Sequence, residues 1–302
     1  MNIIIEKVKK THITDLVTLF KENYGSYHYS AFSSEKSLLK LFSNNLKGWV
    51  GLENDKVVAF AGLYDTVQDD YHLIKLAHLL VDKKYRGYHI GSRLEKERND
   101  YYSKFQHALV VASCVDIPPQ SVQLKLKYGF YFLGMKTNYR CSNLVGDNSI
   151  ILGKYSGINH KEVKLEMPSL STRDFIIQIC KNSNYVYKFN DSNNYKYDMK
   201  FEYDIDQINS RIVGYISFNE NGIPLIELIR LFDILNMRYM SIKINTRILG
   251  FGQLDNLLCN NGYIPTVYIP YYGKHFDLLE YQKLNIEDYK IYKKIFEEYI
   301  RK

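Results

Sequence analysis

The apolar positions in the first part of the chain recur with two different periods. After the capping groups of Thr11–Asp15 and Ser33–Glu35, spacings of three and four residues predict two helices. β-rich runs predict strands, and the turn Asn54–Asp55 joins two of them in a hairpin. The predicted order is strand, helix, helix and three strands, with the strands over Ile3–Val8, Trp49–Glu53, Lys56–Leu63 and Leu73–Val81. This order favours an α/β fold with a mixed sheet, as in the α+β class, in which helices pack on the faces of the sheet.

The alternation continues beyond residue 81. A glycine-containing loop leads into a helix, and a buried strand follows over His107–Ser113. Pro118 and Pro119 interrupt the pattern before a helix over Gln120–Tyr128, which ends at Gly129–Phe130. The loop therefore lies between a strand and a helix, and a second strand and helix come after it.

The later sequence predicts further elements of both kinds. The β-rich run Ser149–Leu152 gives way to polar sequence over Gly153–Pro168, so we place a boundary near residue 160, between domains 1–159 and 160–302. Tyr185–Lys200, rich in Asn, Lys and Tyr, is interpreted as a hairpin or surface loop. Strands and helices then alternate over Ile212–Phe218, Pro224–Leu235, Tyr239–Ile244, Gly252–Asn260, Asp277–Gln282 and Ile286–Ile300.

Composition narrows the class of protein only slightly. No apolar run approaches the roughly 20 residues that span a bilayer, and Met1–Glu6 lacks a basic leader, so we expect a cytoplasmic protein without a membrane partner. A net charge of +7 would attract phosphate-bearing ligands, but 28 tyrosines spread along the whole chain do not favour nucleic acid as a partner. The cysteines are widely spaced and form no CxxC pair, which predicts reduced thiols rather than disulfides or a zinc site: Cys114, Cys141, Cys180 and Cys259.

Candidate chemistry begins where the strand Leu73–Val81 ends. The following helix would leave backbone N–H groups of its first turn without intrahelical partners, and such groups suit a phosphate or pyrophosphate. The spacing fits neither a nucleotide P-loop nor a dinucleotide-binding loop, although the glycines could simply turn the chain between strand and helix. Glycines would allow close approach of the ligand, a serine would add a hydroxyl and an arginine a permanent charge. The predicted binding residues are Leu79, Leu80, Val81, Arg86, Gly87, Tyr88, His89, Ile90, Gly91 and Ser92.

This segment resembles the cofactor motif of the GNAT superfamily of N-acetyltransferases, in which a strand-end valine precedes an Arg/Gln-x-x-Gly-x-Gly/Ala loop. Val81, Arg86 and Gly91 match the motif, whereas His89 stands at its middle glycine. Gly129–Phe130 is similar to the Gly-Phe pair that opens a later strand in the family. The resemblance implies a GNAT-like fold for residues 1–159, with acetyl-CoA or another acyl-CoA as co-substrate and no metal.

The second half carries a faint repeat of that arrangement. The helix Gly252–Asn260 is followed by Gly262–Tyr263, which parallels Gln120–Tyr128 and Gly129–Phe130. We therefore expect residues 160–302 to be a second, degenerate GNAT-like domain, without a cofactor loop of its own, that shapes the acceptor pocket. An unrelated α+β domain is the alternative.

The resemblance also implies direct acyl transfer to an amine, which needs a base for the amine and a proton for the departing thiolate. The family's tyrosine acid corresponds to Lys125 here, so Tyr128, three residues further on, is the candidate acid. His78, on the strand before the loop, is the candidate base. A packed helix-end aromatic and a core histidine are the alternative interpretations of these two residues. Other candidates near the acceptor are Asp65, Asp69 and Asp70, and more weakly Cys114 and Asp116.

We therefore expect an acyltransferase that moves an acetyl or other acyl group from acyl-CoA directly to an amine-bearing acceptor. Two alternatives stay open. A non-catalytic acyl-CoA sensor is suggested by Lys125 and His89, which depart from the family's pattern. A tRNA-dependent aminoacyl transferase would suit both a tandem architecture and the basic excess.

Overall fold

The computed structural model describes residues 2–24, 32, 34–117, 119–139, 148–156, 163–181, 187–190, 199–207, 210–216, 222–273 and 276–300. The chain divides into two units, Met1–Ala112 with Tyr155–Ile158 and Ser113–Lys154 with Asn159–Lys302. Residues 113–154 are thus grouped with the second unit, and the domain boundary near residue 160 stays a prediction.

The elements of the first unit follow one another along the chain in the order predicted from the sequence. Its strands are β1 (Ile4–Lys7), β2 (Leu46–Glu53), β3 (Lys56–Gln68), β4 (Tyr71–Val81) and β5 (Ala108–Val115). They lie side by side in that order, antiparallel from β1 to β4, whereas β4 and β5 are parallel. Asn54 and Asp55, with φ angles of 47° and 63°, have the left-handed torsions of a type I′ hairpin.

Helices α1 (Ile13–Tyr24), α2 (Glu35–Ser43) and α3 (Ile90–Tyr102) pack on these strands. α2 begins at the predicted cap, because Ser34 Oγ accepts the N–H of Ser37. The apolar sides of α1 and α2 meet the sheet in one buried cluster that includes Leu16, Phe20, Leu38, Phe60 and Leu80. This core fixes β4, and hence the start of the candidate loop.

The second unit contains a longer run of elements. Its helices are α4 (Gln120–Lys127), α5 (Leu170–Cys180), α6 (Leu225–Leu235), α7 (Phe251–Asn260) and α8 (Ile286–Ile300). Its strands are β6 (Tyr131–Lys136), β7 (Ser149–Ser156), β8 (Val163–Glu166), β9 (Tyr187–Asn190), β10 (Lys200–Asp206), β11 (Arg211–Ile216), β12 (Ile223–Pro224), β13 (Tyr239–Asn245), β14 (Tyr263–Gly273) and β15 (Phe276–Lys283). The main sheet has the order β7-β6-β14-β15-β13-β11-β10-β12, and β8 pairs separately with β9.

The two halves of the chain share an order of elements. One series is β4-α3-β5-α4-β6-β7 and the other is β11-β12-α6-β13-α7-β14-β15, in which the two-residue strand β12 has no counterpart in the first series. β4 pairs in parallel with β5 and β11 pairs in parallel with β13, and the last two strands of each series pair antiparallel. This is the repeat expected from the sequence, but the order of elements is shared by many folds, and the GNAT-like character of the second half stays a prediction.

The hairpin interpretation of Tyr185–Lys200 is wrong, because β9 pairs in parallel with β8 in a separate two-stranded sheet. The surface-loop interpretation of the same stretch stays a prediction. The middle of that stretch, residues 191–198, lies outside the described residues, as does most of the turn 219–222. β8, α5 and β10 were not anticipated from the sequence.

Three further observations bear on the class of protein. No described helix is both long and apolar enough to cross a membrane. Cys114 and Cys180 are buried free thiols and Cys259 is a half-buried one, while Cys141 lies outside the described residues. Within the described ranges, no group of three or more His, Cys, Asp or Glu side chains is placed to hold a metal ion.

Candidate functional site

The carboxyl half of β4 has no described ladder pairing with its parallel neighbour β5, although β5 continues to Val115. The described pairing of β4 with β5 runs from His72–Ala108 to Lys75–Val111, whereas the pairing of β4 with β3 continues to Val81. Residues 76–79 are half-buried. The edge of β4 from Leu76 to Val81 therefore lies outside the described β4–β5 ladder, which leaves its backbone groups suited to bind an extended ligand.

A β-bulge lies in the middle of this open segment. Ala61 pairs with Leu79 and Gly62 pairs with Ala77, so His78 is the extra residue. Its φ of 44° is left-handed, a conformation that is uncommon for residues other than glycine and that clusters at functional sites. The imidazole ring of His78 packs edge-on against Phe20 and Phe32, with ring centroids 5.3 Å and 4.3 Å away.

The loop after β4 is built by local hydrogen bonds. The Asp82 carboxylate accepts the N–H of Lys84 at 3.0 Å and caps the 3₁₀ turn Lys83–Tyr85. The exposed Arg86 side chain donates from Nε to the carbonyl of Val81 at 3.3 Å. Gly87 follows with a φ of 90°, which favours glycine at this position.

His89 is the N-cap residue of α3. Its φ of 59° and ψ of 15° place it in the left-handed region, which histidine enters more readily than most side chains. The middle position of the motif therefore keeps a helix-opening backbone conformation without a glycine. The exposed His89 side chain makes no capping hydrogen bond.

The start of α3 faces the end of β4. The intrahelical bond from Arg93 N–H to His89 O, at 3.1 Å, comes after the N–H groups of Ile90 and Gly91, which belong to the open first turn. A Cβ atom at Gly91 would lie 3.8 Å from Val81 and 3.9 Å from Leu79. The structure thus brings three of the predicted binding residues, Leu79, Val81 and Gly91, close together.

Other predicted loop residues are placed differently. The Leu80 side chain is buried in the core, so only its backbone can face a ligand. Ile90 is also buried, and it packs closely against Gly51 of β2: a Cβ atom added at Gly51 would lie only 3.2 Å from Ile90 Cγ2. Tyr88 is 58% exposed, and Ser92 is half-buried in the first turn of α3.

Asp65 belongs to a half-buried hydrogen-bonded network, in which its own carboxylate is buried. Its carboxylate accepts a hydrogen bond from Tyr101 at 2.6 Å and contacts Nδ1 of His72 at 2.9 Å. The His72 ring stacks on Phe105. Burial and the bond to Asp65 both raise the pKa of Tyr101. Asp69 and Asp70 are exposed at the β3–β4 turn.

Comparison with known proteins decides the family of this region. Residues 13–118 match the family model described as "Acetyltransferase (GNAT) family". Residues 13–118 are therefore a GNAT acetyltransferase domain. This match covers the bulge, the loop and α3.

Solved GNAT structures resemble about half of the chain. An acetyltransferase of the GNAT family from Streptococcus pneumoniae is 15% identical, with a TM-score of 0.44, and covers 52% of this chain and 100% of its own. The ribosomal-protein-S18-alanine N-acetyltransferase from Escherichia coli is 18% identical, with a TM-score of 0.44, and covers 53% and 97%. Arabidopsis thaliana NAA60, solved in complex with acetyl-CoA, is 11% identical, with a TM-score of 0.42, and covers 51% and 98%. No curated protein sequence matches the chain.

The loop of the GNAT domain fits the pyrophosphate of an acyl-CoA. The first-turn amides of α3 are at the positive end of the helix dipole, and Gly91 adds no side chain between them and β4. Arg86 supplies a cation in the same loop. These features provide hydrogen-bond donors, charge and space, which are the three requirements of a phosphate site.

Tyr128 and Lys125 lie in the second unit, at the end of α4. Tyr128 is half-buried, and its carbonyl accepts a hydrogen bond from Lys154 at 2.9 Å. Lys125 is buried, with its ammonium 5.7 Å from the centre of the Phe130 ring. Gly129, with a φ of 79°, ends the helix as predicted, and Phe130 N–H donates to Lys125 O at 3.2 Å. Cys114 is buried, and Asp116 accepts a hydrogen bond from Asn148.

Two charged residues of α3 were not anticipated from the sequence. Arg98 and Glu95 are both buried and form an ion pair. A usable signal existed, because Arg98 continues the four-residue spacing of Ile90 and Leu94, and its position therefore falls on the core-facing side of the helix.

Proposed function

We propose that the GNAT domain transfers an acyl group, acetyl in the first instance, from acyl-CoA directly to an amine. The observation that carries the proposal is the convergence of the open β4 edge with the amino end of α3 at Leu79, Val81 and Gly91. The family match of residues 13–118 supports the same chemistry.

The chain supplies separate groups for the phosphates and for the acyl arm. The first-turn amides of α3 and the Arg86 guanidinium hold the pyrophosphate. Backbone groups along Leu76–Val81 hold the extended arm, as an additional strand would be held. The bulge at His78 directs backbone N–H groups at the acyl carbonyl, where preorganised donors stabilise developing negative charge. Bound acyl-CoA contributes the activated thioester.

Two proton transfers complete the proposal. His78 accepts a proton from the incoming amine. The departing sulfur also needs a proton, and Tyr128 stays the sequence-based prediction for that acid. Asp65 is committed to Tyr101 and His72, so the carboxylates proposed to meet the amine are the exposed Asp69 and Asp70.

Calorimetric titration of the full chain with acetyl-CoA tests the first step, and release of free CoA thiol with a panel of amines tests the second. Gly91→Trp is expected to abolish acetyl-CoA binding, because the indole would fill the space next to Val81 and Leu79. Lys96→Trp, on the exposed side of α3, is the matched control and should bind normally.

Two results would contradict the proposal. The absence of acetyl-CoA binding by the unaltered chain would remove its basis. Binding without thiol release on any amine would indicate an acyl-CoA-binding module and not a transferase.

A further inference from the structure

A buried ion pair interrupts the apolar side of α3. Ile90, Leu94, Arg98 and Tyr102 follow one another at four-residue intervals, and each is at most 2% exposed. The Arg98 guanidinium is paired with the equally buried Glu95 one turn earlier. Burying two charges costs free energy, and an apolar pair of similar volume often folds as well or better. The stability of the fold alone therefore does not explain why α3 contains this buried ion pair.

The second contact of Arg98 is more informative. Its Nη1 donates to the carbonyl of Gly62 on β3 at 3.0 Å and to the carbonyl of Ala77 on β4 at 3.3 Å. Gly62 and Ala77 are partners in the ladder, and the adjacent pair is Ala61 with Leu79. Arg98 thus bonds to both strands at the point where His78 is inserted.

The bulge needs such support. A left-handed conformation costs a residue other than glycine roughly 1–2 kcal/mol, so the surroundings must hold His78 in place. The ring contacts with Phe20 and Phe32 hold its side chain, and Arg98 holds the backbone immediately before it.

We infer that Arg98, oriented by Glu95, is a positioning residue that sets the peptide groups of the His78 bulge and thereby their aim at the acyl carbonyl. The inference rests on the proposed function. It also assigns two tasks to one helix, because the pyrophosphate-binding turn begins at Ile90 and Arg98 lies eight residues, or about 12 Å, further along α3. The phosphates and the polarising backbone would then be held by a single rigid element.

The central test replaces the ion pair by apolar side chains. Glu95→Leu combined with Arg98→Met leaves no unpaired buried charge, and it removes both bonds to the bulge. We expect normal folding, an acetyl-CoA dissociation constant within about twofold of the original, and a kcat lowered by about 10- to 100-fold, as for a weakened oxyanion donor. If this pair fails to fold, Glu95→Met with Arg98→Leu gives a second apolar packing.

A spectroscopic measurement separates positioning from packing. Isotope-edited infrared spectra of bound acetyl-CoA, labelled with ¹³C at the thioester carbonyl, should show a lowered carbonyl frequency in the unaltered chain and loss of that shift in the apolar variant. Arg98→Lys keeps a cationic donor near the two carbonyls and is expected to recover most of the shift and of kcat.

The outcomes are distinguishable. An apolar variant with unchanged kcat and carbonyl frequency would overturn the inference, as would an Arg98→Lys variant as slow as the apolar pair. Failure of the unaltered chain to bind acetyl-CoA or to release thiol would overturn the proposed function instead.

Discussion

Arg98 donates a hydrogen bond of 3.3 Å to the carbonyl of Ala77, the residue immediately before the left-handed His78. This bond joins the third turn of α3 to the middle of β4. The irregular part of β4 is consequently held through its backbone as well as through the His78 ring.

The backbone of His78 leads to a stability prediction. At an ordinary strand position alanine is preferred to glycine, but a φ of 44° reverses that preference. His78→Gly should therefore be more stable than His78→Ala by about 1 kcal/mol, since both lose the same ring contacts. Urea denaturation of the two variants measures the difference, and a more stable alanine variant would contradict a left-handed bulge.

Arg86 is expected to contribute charge to phosphate binding. Arg86→Ala should weaken acetyl-CoA binding about fivefold, equivalent to roughly 1 kcal/mol, because Arg86 is an exposed cation whose attraction water screens. High salt should reduce the difference. Lys96→Ala, which removes an exposed cation paired with Asp100, is the control. Equal losses in both variants would show a general charge effect.

Tyr101 is expected to stabilise the first unit through Asp65. Tyr101→Phe removes the hydroxyl that donates to the buried carboxylate at 2.6 Å, which should cost about 1–3 kcal/mol of unfolding free energy. Tyr289→Phe, at a tyrosine that is 43% exposed, should change the denaturation midpoint very little. A Tyr101→Phe midpoint equal to that of the control would contradict the bond.

Glu280 contributes to the stability of the second unit, and this contribution is lost in acid. Burial alone would raise the pKa of Glu280, but the Lys136 ammonium at 2.9 Å, the charge of Lys243 and the Tyr239 hydroxyl outweigh it and lower the pKa to about 2. Because the folded pKa is depressed, this contribution is present above the unfolded value of about 4.3 and is lost as the pH falls through about 2.

Glu280→Gln should therefore lower stability at neutral pH by roughly 3 kcal/mol, since the half-buried Lys136 ammonium loses its carboxylate partner. The same variant should show a shallower loss of stability between about pH 4 and pH 2. Denaturation midpoints across this range test the prediction, with the exposed Glu287→Gln as control. Parallel curves for Glu280→Gln and the unaltered chain would refute it.

Gly134 marks a close approach of two strands in the second unit. A Cβ at this position would collide with the carbonyl oxygen of Thr266, and the φ of 132° is strained for any side chain. Gly134→Ala should cost about 3 kcal/mol or more. Gly129→Ala has open space and a φ of 79°, so it should cost only about 1 kcal/mol. Similar losses in thermal or urea unfolding would contradict the close approach.

The features that sequence predicted well are local ones. The loop, the cap of α2 and the Gly129 helix end each depend on a few consecutive residues, whose torsions and hydrogen bonds follow from their types. The turn at Asn54–Asp55 is of the same kind. Such features can be predicted because neighbouring residues alone determine them.

The features that sequence missed depend on distant partners. Asp65 and Tyr101 are 36 residues apart, and nothing near either one indicates the bond. The bulge at His78 is a mismatch in length between two paired strands, so neither strand reveals it alone. Arg98 was overlooked because a search for apolar spacing passes over a charge, even where the spacing places that charge inside the protein.

His89 has a consequence for the recognition of related loops. Its left-handed torsion supplies the geometry that a glycine would otherwise provide at the start of α3. The N-cap position of α3 therefore needs a left-handed φ angle and not a missing side chain. Asn or Asp could adopt that angle at a similar conformational cost. Search patterns that insist on glycine there would overlook loops with this geometry, whereas patterns that accept the few side chains tolerant of that angle would retain them.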